Sequence, residues 1–323
     1  MIRLAAPAKV NFFLEITGKR PDGYHTLSTL FQTISLTDEL TFASADELFL
    51  RCSDTSLQVN ANNLVMRAAV GLRALLKERR GARIHLTKRV PTGAGLGGGS
   101  SDAATTLIGL CRLWRRRPSE AALHRLATSL GADVPFFLKK GLCLAGGIGD
   151  RLRPLPPLPK MWMVLVYPGF GVSTKEAYGK VKLPFTDLRH VPSPAALATL
   201  GRALPQRRGT RGATGNCGSP VVSLNRERGM TLSRRLMLPP PAEGEGWGES
   251  TLFNRFETFI FPGHPELPQL KQRLLDAGCA AALMSGSGSS VFGLVPSSGA
   301  GRRVLTAIRK TYPQSWLVHT AVH

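Results

Sequence analysis

The chain has 323 residues, of which 43% are hydrophobic and 20% are charged. An apolar fraction of this size supports a packed core and excludes a wholly disordered chain. Collagen-like and disulfide-rich proteins are also excluded, because there is no Gly-X-Y repeat and there are only five cysteines. The net charge of +21 suits polyanionic partners such as nucleic acid, anionic membranes or phosphorylated small molecules.

The cysteines are odd in number, and no two of them have the spacing of a metal-binding pair. This usage is typical of a reduced, cytoplasmic protein, and we predict no protein ligand for a metal. The first residues lack the apolar segment of a secretory signal. Residues 277–301 carry no charge, but their serines and glycines argue against a membrane span, so we expect a soluble protein.

Strand and helix signals alternate through the first part of the chain. Residues 10–16 predict a strand that ends in a turn at 20–23. Asn62 or Asn63 is placed to cap a helix, and strand alternation returns over 82–90.

A glycine-rich loop and a helix follow this second strand. The five glycines between residues 93 and 99 leave backbone N–H groups exposed, and the helix adds the positive end of its dipole. The order strand, glycine loop and helix therefore predicts a phosphate-binding site. Ser119 is placed to cap the next helix, which Gly131 ends.

The residues of the glycine loop suggest three interpretations. Gly93, Gly95 and Gly98 satisfy the G-x-G-x-x-G pattern of dinucleotide-binding proteins, although Glu120 is the nearest candidate for the acid that should follow. The second interpretation is a merely flexible glycine turn. The third, a Walker loop, is excluded because no lysine follows the glycines.

A Pro-rich stretch at 154–159 begins the second half of the chain. There, 161–166 and 290–295 predict strands and 267–277 predicts a helix. Helices and strands that alternate without strict βαβ order indicate an α+β fold. Residues 202–248 are rich in Arg, Gly and Pro and show no sustained periodicity, which predicts a disordered insertion.

Four other features are ambiguous when each is taken by itself. Lys9 is either a snorkelling residue at a strand edge or a charge held in place. Asp133 is either the cap of the short helix that follows or a functional acid. His25 is either a solvated turn residue or a ligand contact. The small residues at 284–290 either allow close backbone packing or close a phosphate site.

The chain resembles the GHMP kinase superfamily in four motifs that occur in order: PAKVNFFLEITGKRPDGYH, PTGAGLGGGSSDAA, LGADVPFFL and MSGSGSSVFGL. The first motif is similar to the branch that phosphorylates 4-diphosphocytidyl-2-C-methyl-D-erythritol in non-mevalonate isoprenoid synthesis. The resemblance implies a two-domain α+β fold, with an ATP-binding domain over 1–155, a second domain over 160–323 and the active site in the cleft between them. It also implies transfer of the ATP γ-phosphate, with Mg²⁺, to the 2-hydroxyl of that substrate.

The resemblance further implies a role for particular residues. Lys9 and Asp133 match the catalytic pair, in which Asp133 orients or deprotonates the hydroxyl and Lys9 keeps Asp133 ionised. His25 would read the cytosine and Tyr178 would stack on it. The remaining implied substrate contacts are Asn11, Tyr24 and Thr174. The residues implied for ATP are Asn63, Lys88, Pro91, Thr92, Gly93, Ala94, Gly95, Leu96, Gly97, Gly98, Gly99, Ser100 and Ser101.

The chain departs from the family pattern in two places. Arg255, in the sequence Asn-Arg-Phe-Glu, stands where the family usually has an acid, and the 202–248 segment shortly precedes it. Both lie outside the matched catalytic motifs, so we expect them to affect packing of the second domain more than chemistry. The rival functions are another GHMP-type kinase, a NAD-binding dehydrogenase and a nucleic-acid-binding protein; we expect no nucleic-acid partner, since no recognised motif for one is present.

Overall fold

A computed structural model describes residues 1–182 and 252–321, whose strands form two β-sheets. The larger sheet has the order β3-β4-β2-β1-β8, and β5 pairs with both β2 and β6. β8 follows β1 in parallel, although some 240 residues separate them in the chain. Its strands are β1 (Ile2–Lys19), β2 (His25–Ala45), β3 (Leu48–Cys52), β4 (Gly81–Thr87), β5 (Leu142–Gly146), β6 (Arg151–Leu155) and β8 (Phe253–Asn254).

Four helices of the first half pack together with this sheet: α1 (Leu64–Leu76), α2 (Gly98–Leu113), α3 (Glu120–Leu130) and α4 (Val134–Lys139). The predicted caps are confirmed, because the side chains of Asn63 and Ser119 accept hydrogen bonds from backbone N–H groups at the starts of α1 and α3. Helix α2 begins within the glycine run, since two of the glycines adopt helical backbone angles. The predicted order of strand, glycine loop and helix is therefore present.

The smaller sheet is antiparallel, with the order β11-β7-β10-β9. It contains β7 (Trp162–Val166), β9 (Ala281–Met284), β10 (Val291–Val295) and β11 (Ser315–His319). The helices of this half are α5 (Thr174–Gly179), α6 (Phe256–Ile260), α7 (Glu266–Asp276) and α8 (Ser298–Arg309), with a short 3₁₀ turn at Phe261–Gly263. Separate sheets, one of them wholly antiparallel, confirm the α+β class.

A buried apolar cluster joins the two sheets. Phe12 on β1 packs edge-on against Phe292 on β10, with ring centroids 5.9 Å apart, and Leu30 and Met163 extend the same cluster. Burial of each such side chain contributes about 1.5–3 kcal/mol, so the cluster holds the sheets against one another. The predicted insertion at 202–248 lies outside the described residues.

No helix within the described ranges has the length and apolarity that crossing a membrane requires.

Candidate active site

A cavity of about 1280 Å³ is lined by the glycine loop together with part of the loop that joins β9 to β10. The site residues expected from the sequence come from both halves of the chain, and almost all of them line this cavity. Lys9 and Asn11 reach it from β1, Asp133 from the start of α4, and Tyr178 from α5. The fold therefore brings together motifs that are far apart in the sequence.

Leu96 and Ser101 are the exceptions to this expectation, because neither residue lines the cavity. The Leu96 side chain is buried in the apolar cluster between the sheets, and its carbonyl accepts the backbone N–H of Lys9 on β1 at 3.0 Å. Ser101 lies on the inner face of α2 and is fully buried. Leu96 turns away from a phosphate-binding surface because its side chain is apolar. Ser101 does so because its position on α2 faces the interior.

The glycine loop is shaped by close backbone packing. Gly95 has a φ of +75°, and a Cβ there would lie 2.2 Å from the carbonyl oxygen of Ser285. Gly97, also left-handed, precedes α2, and among the described residues no side chain caps this helix. The first N–H groups of α2 are thus available to an anion, which fits a phosphate group and argues against a merely flexible turn.

Lys9 is a charge held in place, since it is only 3% exposed. Its ammonium donates to the side-chain oxygen of Asn11 at 2.7 Å and to the Gly95 carbonyl at 3.0 Å. It also lies 3.7 Å from a carboxylate oxygen of Asp133. Burial lowers the pKa of Lys9, and the charge and hydrogen bond of Asp133 oppose that effect.

Asp133 stands directly before α4, but its carboxylate makes no capping hydrogen bond within the described residues. The simple capping interpretation is therefore wrong for this residue. The side chain is 33% exposed and lines the cavity, with Lys9 as its ion-pair partner. A carboxylate that faces a cavity beside a buried ammonium is placed to accept a proton from a bound hydroxyl.

Lys88 has a different environment, although it too lines the cavity. Its ammonium donates to Asp38 and, at 3.0 Å, to Asp102. Burial would lower the pKa of Lys88, but the two carboxylates raise it. Burial raises the pKa of Asp102 to about 7, with Lys88 opposing and Asp38 adding to the rise. Asp38 also accepts the Val90 N–H at 2.8 Å, so the cluster fixes the chain where it approaches the glycine loop.

The residues expected on the substrate side gather at one end of the cavity. The rings of His25 and Tyr178 stack on each other, with centroids 5.3 Å apart and planes 20° from parallel. A pair at this spacing leaves no room for a third ring between them. Burial and the nearby charge of Lys19 lower the pKa of His25, while burial and Asp133 raise that of Tyr178. Both side chains are therefore neutral near pH 7.

Asn11 and Asn63 use their carboxamides within the protein. Asn11 accepts from Lys9 and donates to Thr29 at 2.7 Å, so it orients the lysine. Asn63 accepts the Val65 N–H and donates to the Gln58 carbonyl, which makes it the cap of α1 at the cavity wall. On the substrate side, Tyr24 is 62% exposed.

The loop between β9 and β10, residues 285–290, forms another part of the cavity wall. Gly286 and Ser287 line the cavity, and the Ser287 hydroxyl lies 3.2 Å from that of Thr174. The sequence marked this loop as a region of close packing or a phosphate site, and close packing against Gly95 is confirmed. Its individual contacts were not predicted, because small residues carry no signal of what they will touch.

The Asn-Arg-Phe-Glu motif anchors this loop from behind. Asn254 donates to the carbonyls of Met284 and Gly286, at 2.7 and 2.8 Å. Arg255 forms a two-point ion pair with Glu15 on β1, at 2.8 and 2.7 Å. Glu15 is 2% exposed, so the unusual base at 255 has a buried acid to pair with. The departure from the family pattern is accommodated in the packing.

Comparison with known proteins agrees with this geometry. Residues 63–141 match the family described as GHMP kinases N terminal domain, and residues 245–314 match GHMP kinases C terminal. A crystal structure of 4-(cytidine 5′-diphospho)-2C-methyl-D-erythritol kinase superposes with a TM-score of 0.73 at 32% identity, covering 99% of this chain and 100% of that one. A homoserine kinase from Cytophaga hutchinsonii shares the fold, with a TM-score of 0.65 at 20% identity over 99% of this chain and 94% of that one.

Sequence relatives extend over nearly the whole chain. The 4-diphosphocytidyl-2-C-methyl-D-erythritol kinase of Syntrophus aciditrophicus is 37% identical over 320 residues, which is 98% of each chain. The enzyme of that name from Chlorobium phaeobacteroides is 40% identical over 292 residues, or 89% of this chain and 84% of the relative. Matches of this extent show common descent with these enzymes and not a shared fold only. The chain therefore belongs to the 4-diphosphocytidyl-2-C-methyl-D-erythritol kinase family of the GHMP kinases.

Proposed function

We propose that this protein transfers the γ-phosphate of ATP to the 2-hydroxyl of 4-diphosphocytidyl-2-C-methyl-D-erythritol. The observation that carries the proposal is the Lys9–Asp133 pair, whose charged atoms lie 3.7 Å apart at the surface of the cavity. The same cavity is lined by the glycine loop, which leads into a helix without a side-chain cap, and by aromatic side chains. The names of the full-length relatives supply the substrate.

The polyphosphate of ATP would lie along the glycine loop and the first N–H groups of α2. Helix ends of this kind bind anions through free amides and the helix dipole. A Mg²⁺ ion would be held mainly by the phosphate oxygens of ATP, as is usual for this ion in phosphate-transfer sites. Ser100, which lines the cavity, would add one hydroxyl ligand, although the sequence led us to expect no protein ligand for the metal. Such an ion neutralises phosphate charge during transfer.

Asp133 would accept the proton of the acceptor hydroxyl or orient that hydroxyl for attack. Its carboxylate lies 3.7 Å from the Lys9 ammonium, which places the pair side by side at the cavity surface. Lys9 would stabilise negative charge that develops on the transferring phosphoryl group. Asn11 and the Gly95 carbonyl hold the Lys9 ammonium in position for this task.

The cytosine would bind beside the His25–Tyr178 pair, with Tyr178 stacking on the base after the two rings separate. A neutral imidazole offers one hydrogen-bond donor and one acceptor, which suits the edge of cytosine, since that edge carries both donors and acceptors.

The four described cysteines are free thiols, so a reducing cytoplasm, where ATP is plentiful, is the setting we expect.

A coupled assay of ADP release tests the proposal. Purified protein with Mg²⁺-ATP should turn over the cytidyl-diphosphate substrate, and mevalonate, homoserine and buffer without an acceptor should give only background. Equal or greater turnover with mevalonate or homoserine would transfer the assignment to another GHMP kinase. Absence of turnover with every acceptor would refute the proposed reaction.

The proposed base contact has its own test in the same assay. His25→Ala should raise KM for the cytidyl substrate at least about tenfold while KM for ATP changes less than about twofold, because a lost base contact weakens the binding of one substrate only. An equal rise in both KM values would remove His25 from base recognition.

A further inference from the structure

The carbonyl oxygen of Gly95 accepts two hydrogen bonds, one from each half of the chain. The Lys9 ammonium donates from the larger sheet, and the Ser285 hydroxyl donates from the loop after β9, each at 3.0 Å. A carbonyl oxygen has two lone pairs, so these donors complete its bonding. The Gly95 carbonyl therefore connects the second half of the chain to Lys9 through hydrogen bonds.

Ser285 is rigidly held at this point. The residue is fully buried, and its backbone N–H donates to Ser290 across the loop at 2.9 Å. Asn254 donates hydrogen bonds to the carbonyls of the residues before and after Ser285, and Glu257 accepts the Met284 N–H at 2.8 Å. A hydroxyl on such a fixed frame defines the direction of the Gly95 carbonyl.

The direction of that carbonyl matters because it sets the position of Lys9. An ammonium has three N–H donors, of which one goes to Asn11 and one to Gly95, so the third is left for Asp133 and the reacting groups. Gly95 has no Cβ to restrict its peptide plane, so the two hydrogen bonds to its carbonyl help to fix the orientation of that plane. If it turned, Lys9 would move relative to Asp133.

We propose that Ser285 is a positioning residue for the phosphoryl transfer, acting on Lys9 through the Gly95 carbonyl. The proposal rests on the function proposed above, in which Lys9 acts in catalysis. Ser285 itself touches neither reacting group. Its contribution is therefore measurable only while Lys9 is present, and this dependence separates positioning from a general packing role.

Ser289 provides a matched control in the same loop. It is equally buried, and its hydroxyl also donates to a backbone carbonyl, that of Phe170, which is not part of the glycine loop. Replacement of either serine by alanine removes one buried hydrogen bond and lowers stability by a comparable amount. A structural effect should thus be similar for the two variants.

The test is a double-mutant cycle with Lys9. Ser285→Ala should lower kcat about tenfold in the wild-type background, since misplacement of a catalytic group raises the barrier without weakening substrate binding. A Lys9→Arg background keeps a positive charge at the site so that activity can be measured. In this background Ser285→Ala should lower kcat less than about twofold. Ser289→Ala should act equally in both backgrounds.

The outcomes are distinct. A Ser285→Ala enzyme with wild-type kcat, or one whose loss is the same in both backgrounds, would overturn the proposal. Ser285→Cys, which keeps the volume and a weak donor, should recover part of kcat and serves if the alanine variant does not fold. Wild-type protein without turnover would refute the proposed function instead, so the two failures cannot be confused.

Discussion

Lys9 and Lys88 are both buried beside the same glycine loop, but their partners differ. Lys9 has one carboxylate, Asp133, which is 33% exposed and 3.7 Å away. Lys88 has two, Asp38 and Asp102, which are at most 4% exposed and within hydrogen-bond distance. Burial dominates the pKa of Lys9, which is lowered, whereas the carboxylates dominate that of Lys88, which is raised.

The comparison separates a reactive charge from a structural one. The Lys9–Asp133 pair is accessible to a substrate, because Asp133 faces the cavity. Around Lys88, the charges are paired with one another and tie β2, the start of the glycine loop and α2 together. We therefore expect changes near Lys9 to affect turnover and changes near Lys88 to affect folding.

The largest effect is expected at Asp133. Asp133→Asn keeps the shape of the side chain but removes the base, so kcat should fall by about 10²–10⁴-fold. The dissociation constant of ATP, measured by calorimetry, should change little. Asp276→Asn, an exposed change at the end of α7, should leave both values unaltered. Near-normal turnover of Asp133→Asn would remove this residue from the reaction.

The next largest effect is expected from Lys88→Met. Without the ammonium, two buried carboxylates face each other unpaired, and loss of one partner of such a cluster costs about 3–5 kcal/mol. The free energy of unfolding in urea should fall by that amount. A loss below about 1 kcal/mol, the usual value of an exposed ion pair, would show that Lys88 is not the structural charge of the pair.

Lys9→Met is the matched control for that measurement. It leaves Asp133 with access to the cavity and removes a charge that burial disfavours, so stability should fall much less than in Lys88→Met. Turnover should nevertheless be lost. Equal destabilisation by the two substitutions would break the distinction between the two lysines.

The last prediction concerns the dependence of stability on pH. The pKa of Asp102 is about 7 in the folded protein against an ordinary value of 3.8, so the folded state holds a proton that the unfolded state releases. Stability from this group is complete below about pH 4 and is lost as pH rises through about 7. Urea midpoints at pH 5 and 8 should differ less for Asp102→Asn than for the wild type. An unchanged difference would contradict the assignment.

Features with a local signal could be predicted from the sequence. The caps at Asn63 and Ser119, the glycine loop and the strand over 161–166 each depend on residues a few positions apart. The motifs also led to Lys9 and Asp133, and the structure brings these two residues together. Their catalytic roles are still a prediction, which the Asp133 variant tests.

The remaining features depend on contacts between distant residues. Asp38 accepts hydrogen bonds from residues about fifty positions later, and no pattern near it marks a buried acid. Glu15 and Arg255 are 240 positions apart, so the acid that accommodates the unusual base could not be inferred from either motif. The Ser285 contact is hidden in the same way, because small polar residues are compatible with many environments.

The two-residue strand β8 has a consequence for synthesis of the protein. Phe253 and Asn254 pair with Phe13 and Leu14, so they cover two residues on the outer edge of β1. A ribosome must therefore make most of the chain before this part of the edge is paired. During this interval β1 presents unpaired N–H and C=O groups, to which strands of neighbouring nascent chains can add. Slow release of the second half would favour aggregation of the first.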